Sequence, residues 1–282
     1  MKPSELILNE DNSIYHLNLQ PRDIADTIIT VGDPSRVNEV SQYFDDVMFE
    51  MNRREFITQT GIYKGKKITV MSTGMGTDNI EIFLTELDAL VNVDMKNRVP
   101  ERLLRKLTIV RLGTSGSIQP DIPIGTHLVS VLAVGMDSLM QYYYPTQFAE
   151  EIQISQRIKQ SFELDFLPYT TACSENLLRK IGFDMLPGIT VTCPGFYAPQ
   201  GRRVRLEPRY PDFVERMANL GGKEFRLTNL EMETAAYYAL GRLMGHEMLS
   251  VNAILANRQT GEFASKPQKI INSLITKVLD RI

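Results

Sequence analysis

Leu107 to Pro120, LTIVRLGTSGSIQP, places a permanent charge where a buried strand ordinarily carries an apolar side chain. Leu107, Ile109, Val110 and Leu112 form a short apolar run bounded by glycine, the pattern of a strand covered on both faces. Arg111 stands at its end. Gly113-Thr114-Ser115-Gly116 then reads as a turn of small residues whose backbone N–H groups and hydroxyls can approach an anion, with Arg111 as a fixed cation beside them. That combination suits a phosphate or a carboxylate. The competing reading is an arginine that reaches out to water or ties down the loop.

Working outward, 282 residues with 43% hydrophobic and 23% charged side chains fit one large α/β domain, residues 1–282, since no linker or low-complexity stretch divides the chain. A net charge of −3 argues against a general nucleic-acid or membrane-surface role, which needs a basic face. Cys173 and Cys193 are too few for a disulfide framework and form no metal-ligand spacing with His16, His127 or His246. No apolar run approaches the ~20 residues of a membrane span, and the N-terminus lacks a basic segment followed by a long apolar core. A cytoplasmic protein is expected.

Upstream, Asp26 to Val31 is a first buried strand, and Gly32-Asp33-Pro34-Ser35-Arg36 follows it as a loop opening a helix, with Arg36 projecting beside the helix-start amides. An Arg36–Asp33 surface pair is the alternative. Val47 to Thr60 and Lys67 to Thr73 read as strands around turns at Gly61 and Gly65. After Ser72-Thr73-Gly74-Met75-Gly76, Thr77 or Asp78 caps a helix whose Ile80, Phe83, Leu84, Leu87 and Val91 recur at helical spacing. The basic stretch Asn92 to Lys106 reads as a solvated helix face.

Downstream, His127 to Val134 is a further strand, with His127 a core or edge residue, and Tyr142, Tyr143 and Tyr144 suit a surface loop, a pocket wall or a subunit contact. Gly188 to Cys193 resumes the strand pattern. The loop Phe196-Tyr197-Ala198-Pro199-Gln200-Gly201-Arg202 then brings together an aromatic ring, an amide and a guanidinium, groups that stack on and hydrogen-bond a small planar ring bearing carbonyls. A plain surface turn is the alternative. Asn229 to Thr234 opens a helix running through Leu243, with Glu231 and Glu233 placed either to complement its dipole or to accept from vicinal hydroxyls. Leu249 to Ala256 is a last buried strand, and Ser265 to Ile282 a closing helix.

Taken in order, His16 in YHLNL, GDPSR, RREF with Arg54, STGMG, RLGTSG, FYAPQGR and NLEMET resemble the nucleoside phosphorylases that form trimers or hexamers, and within them the uridine phosphorylases. The resemblance implies a mixed, twisted central sheet flanked by helices. It implies that Gly32, Arg36, Arg111 and Thr114 bind phosphate, with Arg54 supplied by a neighbouring subunit. Met232 and Glu233 would hold the ribose, and His16 of the neighbour its 5′-hydroxyl. Phe196, Gln200, Arg202 and Arg258 would bind uracil. Inorganic phosphate would be a co-substrate, with no cofactor or metal, and the protein a homo-oligomer, a dimer or a hexamer of dimers, sharing sites between subunits.

The residue types agree with phosphorolysis, in which Arg111, Gln200, Arg202 and Glu233 would act by positioning and charge stabilisation and no side-chain nucleophile is needed. Purine members of the family use an aspartate after the late strand, whereas Ala256-Asn257-Arg258-Gln259 offers no carboxylate. The rival readings are a purine nucleoside phosphorylase, a nucleosidase that uses water, and a non-catalytic nucleoside-binding module.

Overall fold

The apolar runs become the middle of one sheet, seen in a computed structural model that describes residues 1–222 and 224–282. The first half of the chain runs β1 (Thr27–Val31), α1 (Ser35–Ser41), β2 (Asp46–Arg53), β3 (Phe56–Tyr63), β4 (Lys66–Ser72), α2 (Thr77–Asn92), β5 (Val93–Asp94), β6 (Val99–Pro100) and β7 (Thr108–Ser117). The second half runs β8 (His127–Gly135), α3 (Ala149–Phe162), β9 (Tyr169–Ala172), α4 (Glu175–Leu177), β10 (Leu186–Thr192), α5 (Phe213–Asn219), β11 (Leu227–Glu231), α6 (Thr234–Met244), β12 (Glu247–Asn257), β13 (Glu262–Phe263) and α7 (Pro267–Leu279). β1 lies between β4 and β7, parallel to both, which sets Thr30 between Met71 and Arg111. From β7 the sheet passes through β12, β8, β10 and β11, and β11 pairs back onto β7. Five strands therefore close a ring, while β4, β3 and β2 extend the other edge.

Alternation along the strands sends side chains to two helical layers. Ile28 and Ile109 pack with Phe83 and Leu84 of α2 and with Tyr237 and Tyr238 of α6. Ile29, Val31, Val110 and Leu112 pack with Val37 and Val40 of α1 and with Ile271, Leu274 and Val278 of α7. α3 and α5 cover β10 and β11 through Ile158, Phe162, Phe213 and Met217. Each such side chain stabilises the fold by about 1.5–3 kcal/mol when fully buried. The expected helix–sheet–helix architecture is what forms.

Several local expectations change. Gly113 to Gly116 is strand and not turn: β12 pairs with β7 from Glu247 opposite Thr108 to Asn257 opposite Ser117, which carries the strand through its glycines. Gly61 lies inside β3, where an added Cβ would sit 2.2 Å from the Asp46 carbonyl oxygen. The turn expected at Gly65 forms, at Lys64-Gly65, and the other turn beside β3 falls at Arg54, all with positive φ. Neither Thr77 nor Asp78 caps α2, whose preceding residue is Gly76 at φ 95°. Residues 93–100 form a hairpin in place of a helix face, because Asp94 accepts the N–H groups of Lys96 and Asn97 and Arg98 adopts φ 53°. Asn229 to Glu231 closes β11, and the helix begins only at Thr234. Tyr142 and Tyr144 are exposed, and Tyr143 donates to Glu81 at 2.6 Å.

Candidate active site

The ends of β1, β4, β7, β11 and β12 open on a cavity of about 660 Å³, in the position where α/β sheets place their ligands. Gly32 and Arg36 reach it from the β1–α1 turn, Arg111 and Thr114 from β7, Phe196, Gln200 and Arg202 from the loop after β10, and Met232 and Glu233 from the β11–α6 junction. Nine residues singled out in the sequence thus meet in one space.

Arg111 is 5% exposed, on the α2–α6 face of β7. Its guanidinium donates to Glu233 at 2.5 Å, lies 3.2 Å from Glu231, and on its other side donates to Asn252 at 3.2 Å and Ser250 at 3.4 Å. Burial alone would lower its pKa; the two carboxylates outweigh that and raise it. Gly113 makes this pose possible, since a Cβ there would fall 1.9 Å from the Arg111 side chain. Arg36 has no ion-pair partner within 4 Å among the described residues, and burial, helped by Arg111, pushes its pKa down. A second cation on the same cavity wall, near Asp33 and Glu39 but in ion-pair contact with neither, is a place for an anion.

The two glutamates at the start of α6 divide the work. Glu231 accepts from the backbone N–H groups of Glu233 and Thr234 and from the hydroxyls of Thr192 and Thr234, so its carboxylate holds the helix start in place. Among the described residues Glu233 accepts only from Arg111 and from the Gly76 N–H at 2.8 Å, which ties α2 to the site. Burial raises the Glu233 carboxyl pKa, with Arg111 opposing and Glu231 adding to the rise. Glu233 retains lone pairs for a hydroxylated ligand.

At the other end, Arg202 lies 3.7 Å from the Phe196 ring centre and donates to the Phe196 carbonyl and to Gln200 Oε1, both at 2.6 Å. Burial and the nearby Arg258 lower its pKa to about 10. Arg258 itself stands behind the loop, donating to the Gln200 carbonyl at 2.9 Å, and is not part of the cavity wall. His16 and Arg54 also lie off the cavity. His16 Nδ1 is 2.5 Å from Glu86, and Arg54 is exposed in its turn, 5.9 Å from the Tyr15 ring that meets His16 edge-on.

Sequence reasoning did not place Glu55, Met75 and Phe263 in the cavity wall and missed the role of Asn252; of the two roles open to Glu231, the structure gives it the helix start. Ser250 and Asn252 were visible as polar residues two apart in an otherwise apolar strand, the signature of one face turned toward a polar group. Among the described residues no group of three His, Cys, Asp or Glu side chains is placed to hold a metal ion, and no helix is long and apolar enough to cross a membrane.

The profile of the Phosphorylase superfamily matches residues 26–280, nearly the whole chain and every strand named above. The chain belongs to that superfamily. Among its phosphorylase relatives is a uridine phosphorylase of Thermococcus kodakarensis, 30% identical over 273 residues, covering 96% of this chain and 88% of that one. A DeoD-type purine nucleoside phosphorylase of Bacillus thuringiensis is 27% identical over 268 residues, covering 94% and 97%. The solved nucleoside phosphorylase of Trypanosoma brucei, described as showing uridine phosphorylase activity, superposes with a TM-score of 0.86 at 28% identity over 98% of this chain and all of that one. A uridine phosphorylase of Phytophthora capsici shares the phosphorylase fold, with a TM-score of 0.70 at 21% identity over 100% of this chain and 97% of that one.

Proposed function

We propose that this phosphorylase splits uridine and inorganic phosphate reversibly into uracil and ribose 1-phosphate. The observation that carries the base assignment is the Gln200–Arg202 pair, bonded to each other at 2.6 Å beside Phe196. Its guanidinium and amide N–H groups are donors, and Gln200 Oε1 is an acceptor. Uracil presents the complement, an N–H between two carbonyls. Asn257, in the region where a purine-binding acid would be sought, has its Nδ2 on the Gln119 and Ile122 carbonyls and its Oδ1 on the Gln259 and Thr260 N–H groups. It is committed to the turn after β12.

The reaction follows from this arrangement. Phosphate held between Arg36 and Arg111 directs an oxygen at the anomeric carbon, the carbon–nitrogen bond to the base breaks, and its electron pair leaves on uracil. Arg202 and Gln200 stabilise the resulting charge on the carbonyls, while Glu233 accepts from ribose hydroxyls and fixes the sugar. No cofactor enters this sequence, and phosphate is consumed as a substrate. His16 and Arg54, together at the surface beside Tyr15, complete the cavity of a neighbouring subunit in a homo-oligomer built from dimers. Initial rates with uridine, inosine and adenosine at fixed phosphate test the base assignment. Uridine is expected to be turned over fastest, and a preference for either purine nucleoside would replace this reading with a purine phosphorylase.

A further inference from the structure

The strands that close on β7 each send one polar side chain to a common inner face. Starting at Arg111, the bonds run to Asn252 on β12 (3.2 Å), from Asn252 Nδ2 to Ser130 on β8 (3.2 Å), to Thr190 on β10 (2.6 Å), to Asn229 on β11 (2.9 Å), and from Asn229 Nδ2 to Ser115 back on β7 (2.9 Å). Asn252, Ser130, Thr190 and Asn229 are completely buried. A buried network of this kind either has every member satisfied or costs stability at each gap.

Its direction is set from both ends. Arginine only donates, so Asn252 turns Oδ1 to it and has only Nδ2 to offer Ser130. Thr190 gives its hydrogen to Asn229 Oδ1, so the hydrogen of the Ser130–Thr190 bond comes from Ser130, and Asn229 Nδ2 donates to the Ser115 oxygen. The last hydroxyl hydrogen, on Ser115, has no acceptor among the described residues, and Ser115 lines the cavity. Both ends of the relay therefore present donors to the same space.

Glu233 and Glu231 hold only one side of the Arg111 guanidinium, and Glu233 is also the group expected to accept from the sugar. When a ligand draws on Glu233, the restraint that remains on the opposite edge is Asn252, with Ser250 beside it. We propose that Asn252 is a positioning residue, which through this one-way relay fixes Arg111 for phosphate and leaves Ser115 as a donor facing the cavity. This rests on the reading of Arg111 as a phosphate ligand, and it assigns Asn252 no contact with any substrate.

The test is calorimetric titration of the intact protein with inorganic phosphate, together with KM values for phosphate and uridine, for Asn252→Leu and Ser130→Ala. Asn252→Leu removes the amide at nearly constant volume. Ser130→Ala removes one atom that touches neither Arg111 nor the cavity. Asn252→Leu should weaken phosphate on the order of tenfold and Ser130→Ala by about threefold, with the uridine KM moving less than twofold in either. Unchanged phosphate affinity, or an equal rise in both KM values, overturns the proposal. If Asn252→Leu does not fold, Ser130→Ala decides by the same criteria. Wild-type protein that binds no phosphate overturns the functional reading along with it, whereas wild type that binds and variants that bind equally well overturn this inference alone.

Discussion

At one end of the cavity Arg111 is held by two carboxylates, a hydroxyl and an amide from β11, the α6 start and β12, all buried; at the other Arg202 leans on a half-exposed Phe196 and, among the described residues, bonds within its own loop. The first arrangement is part of the sheet, and moving it means disturbing the core. The second can exchange partners at little cost, since each of its bonds is made within seven residues of chain. A phosphate is the same in every turnover, whereas a base must be admitted, read and released. Rigidity at one end and local adjustment at the other fit those two tasks.

The sharpest contrast should come from deleting the two arginines. Arg111→Ala leaves Glu231 and Glu233 buried beside each other without their cation, a change that costs about 3–5 kcal/mol of stability on top of the lost phosphate contact. Chemical denaturation should register that loss, and phosphorolysis should vanish. Arg202→Ala and Gln200→Ala should cost under ~1 kcal/mol and about 1 kcal/mol of stability respectively, yet each should depress uridine turnover while phosphate affinity stays near wild type. If Arg202→Ala destabilised the protein as much as Arg111→Ala, the two ends would not differ as described.

Acidity separates stability from activity at the buried end. Because burial raises the Glu233 pKa, folding favours its protonated form, and its contribution to stability is lost as pH rises through the shifted value. Activity runs the other way, since the ionised carboxylate pairs with Arg111 and accepts from the sugar. The acid limb of kcat/KM should therefore lie above the ordinary glutamate value of about 4.3, and Glu233→Gln should lower the rate and remove that limb. A limb that persists in Glu233→Gln assigns it to another group.

The smallest effect on folding is expected for Arg54→Ala, about 0 to 1 kcal/mol for an exposed side chain. Its activity should nevertheless fall if sites are shared, and mixing it with Arg111→Ala should restore part of the rate after subunit exchange. Fully active Arg54→Ala protein would confine the site to one chain.

The difference between the two ends also governs what could be read from the sequence. A charge within LTIVRL marks β7 because nothing else in that run is charged, and GDPSR, FYAPQGR and NLEMET marked the other cavity residues singled out in the sequence. The extent of β7 was hidden, since Gly113 to Gly116 has turn composition; its glycine at 113 serves the Arg111 side chain instead of a bend. Asn229 to Glu231 looked like a helix start because its side chains are polar: Asn229 feeds the inner relay on strands distant in the chain, and Glu231 the adjacent α6 amides. His16 meets Glu86 and Arg54 meets Tyr15, both off the cavity, so among the described residues nothing ties either to the site the resemblance implied for it.

The central claim, that this cavity uses phosphate and not water to cleave uridine, is tested most directly by measuring uracil release from uridine in phosphate-free buffer and again after adding phosphate. The account predicts release only with phosphate, accompanied by stoichiometric ribose 1-phosphate. Equal release in both buffers, with free ribose as the second product, would contradict it.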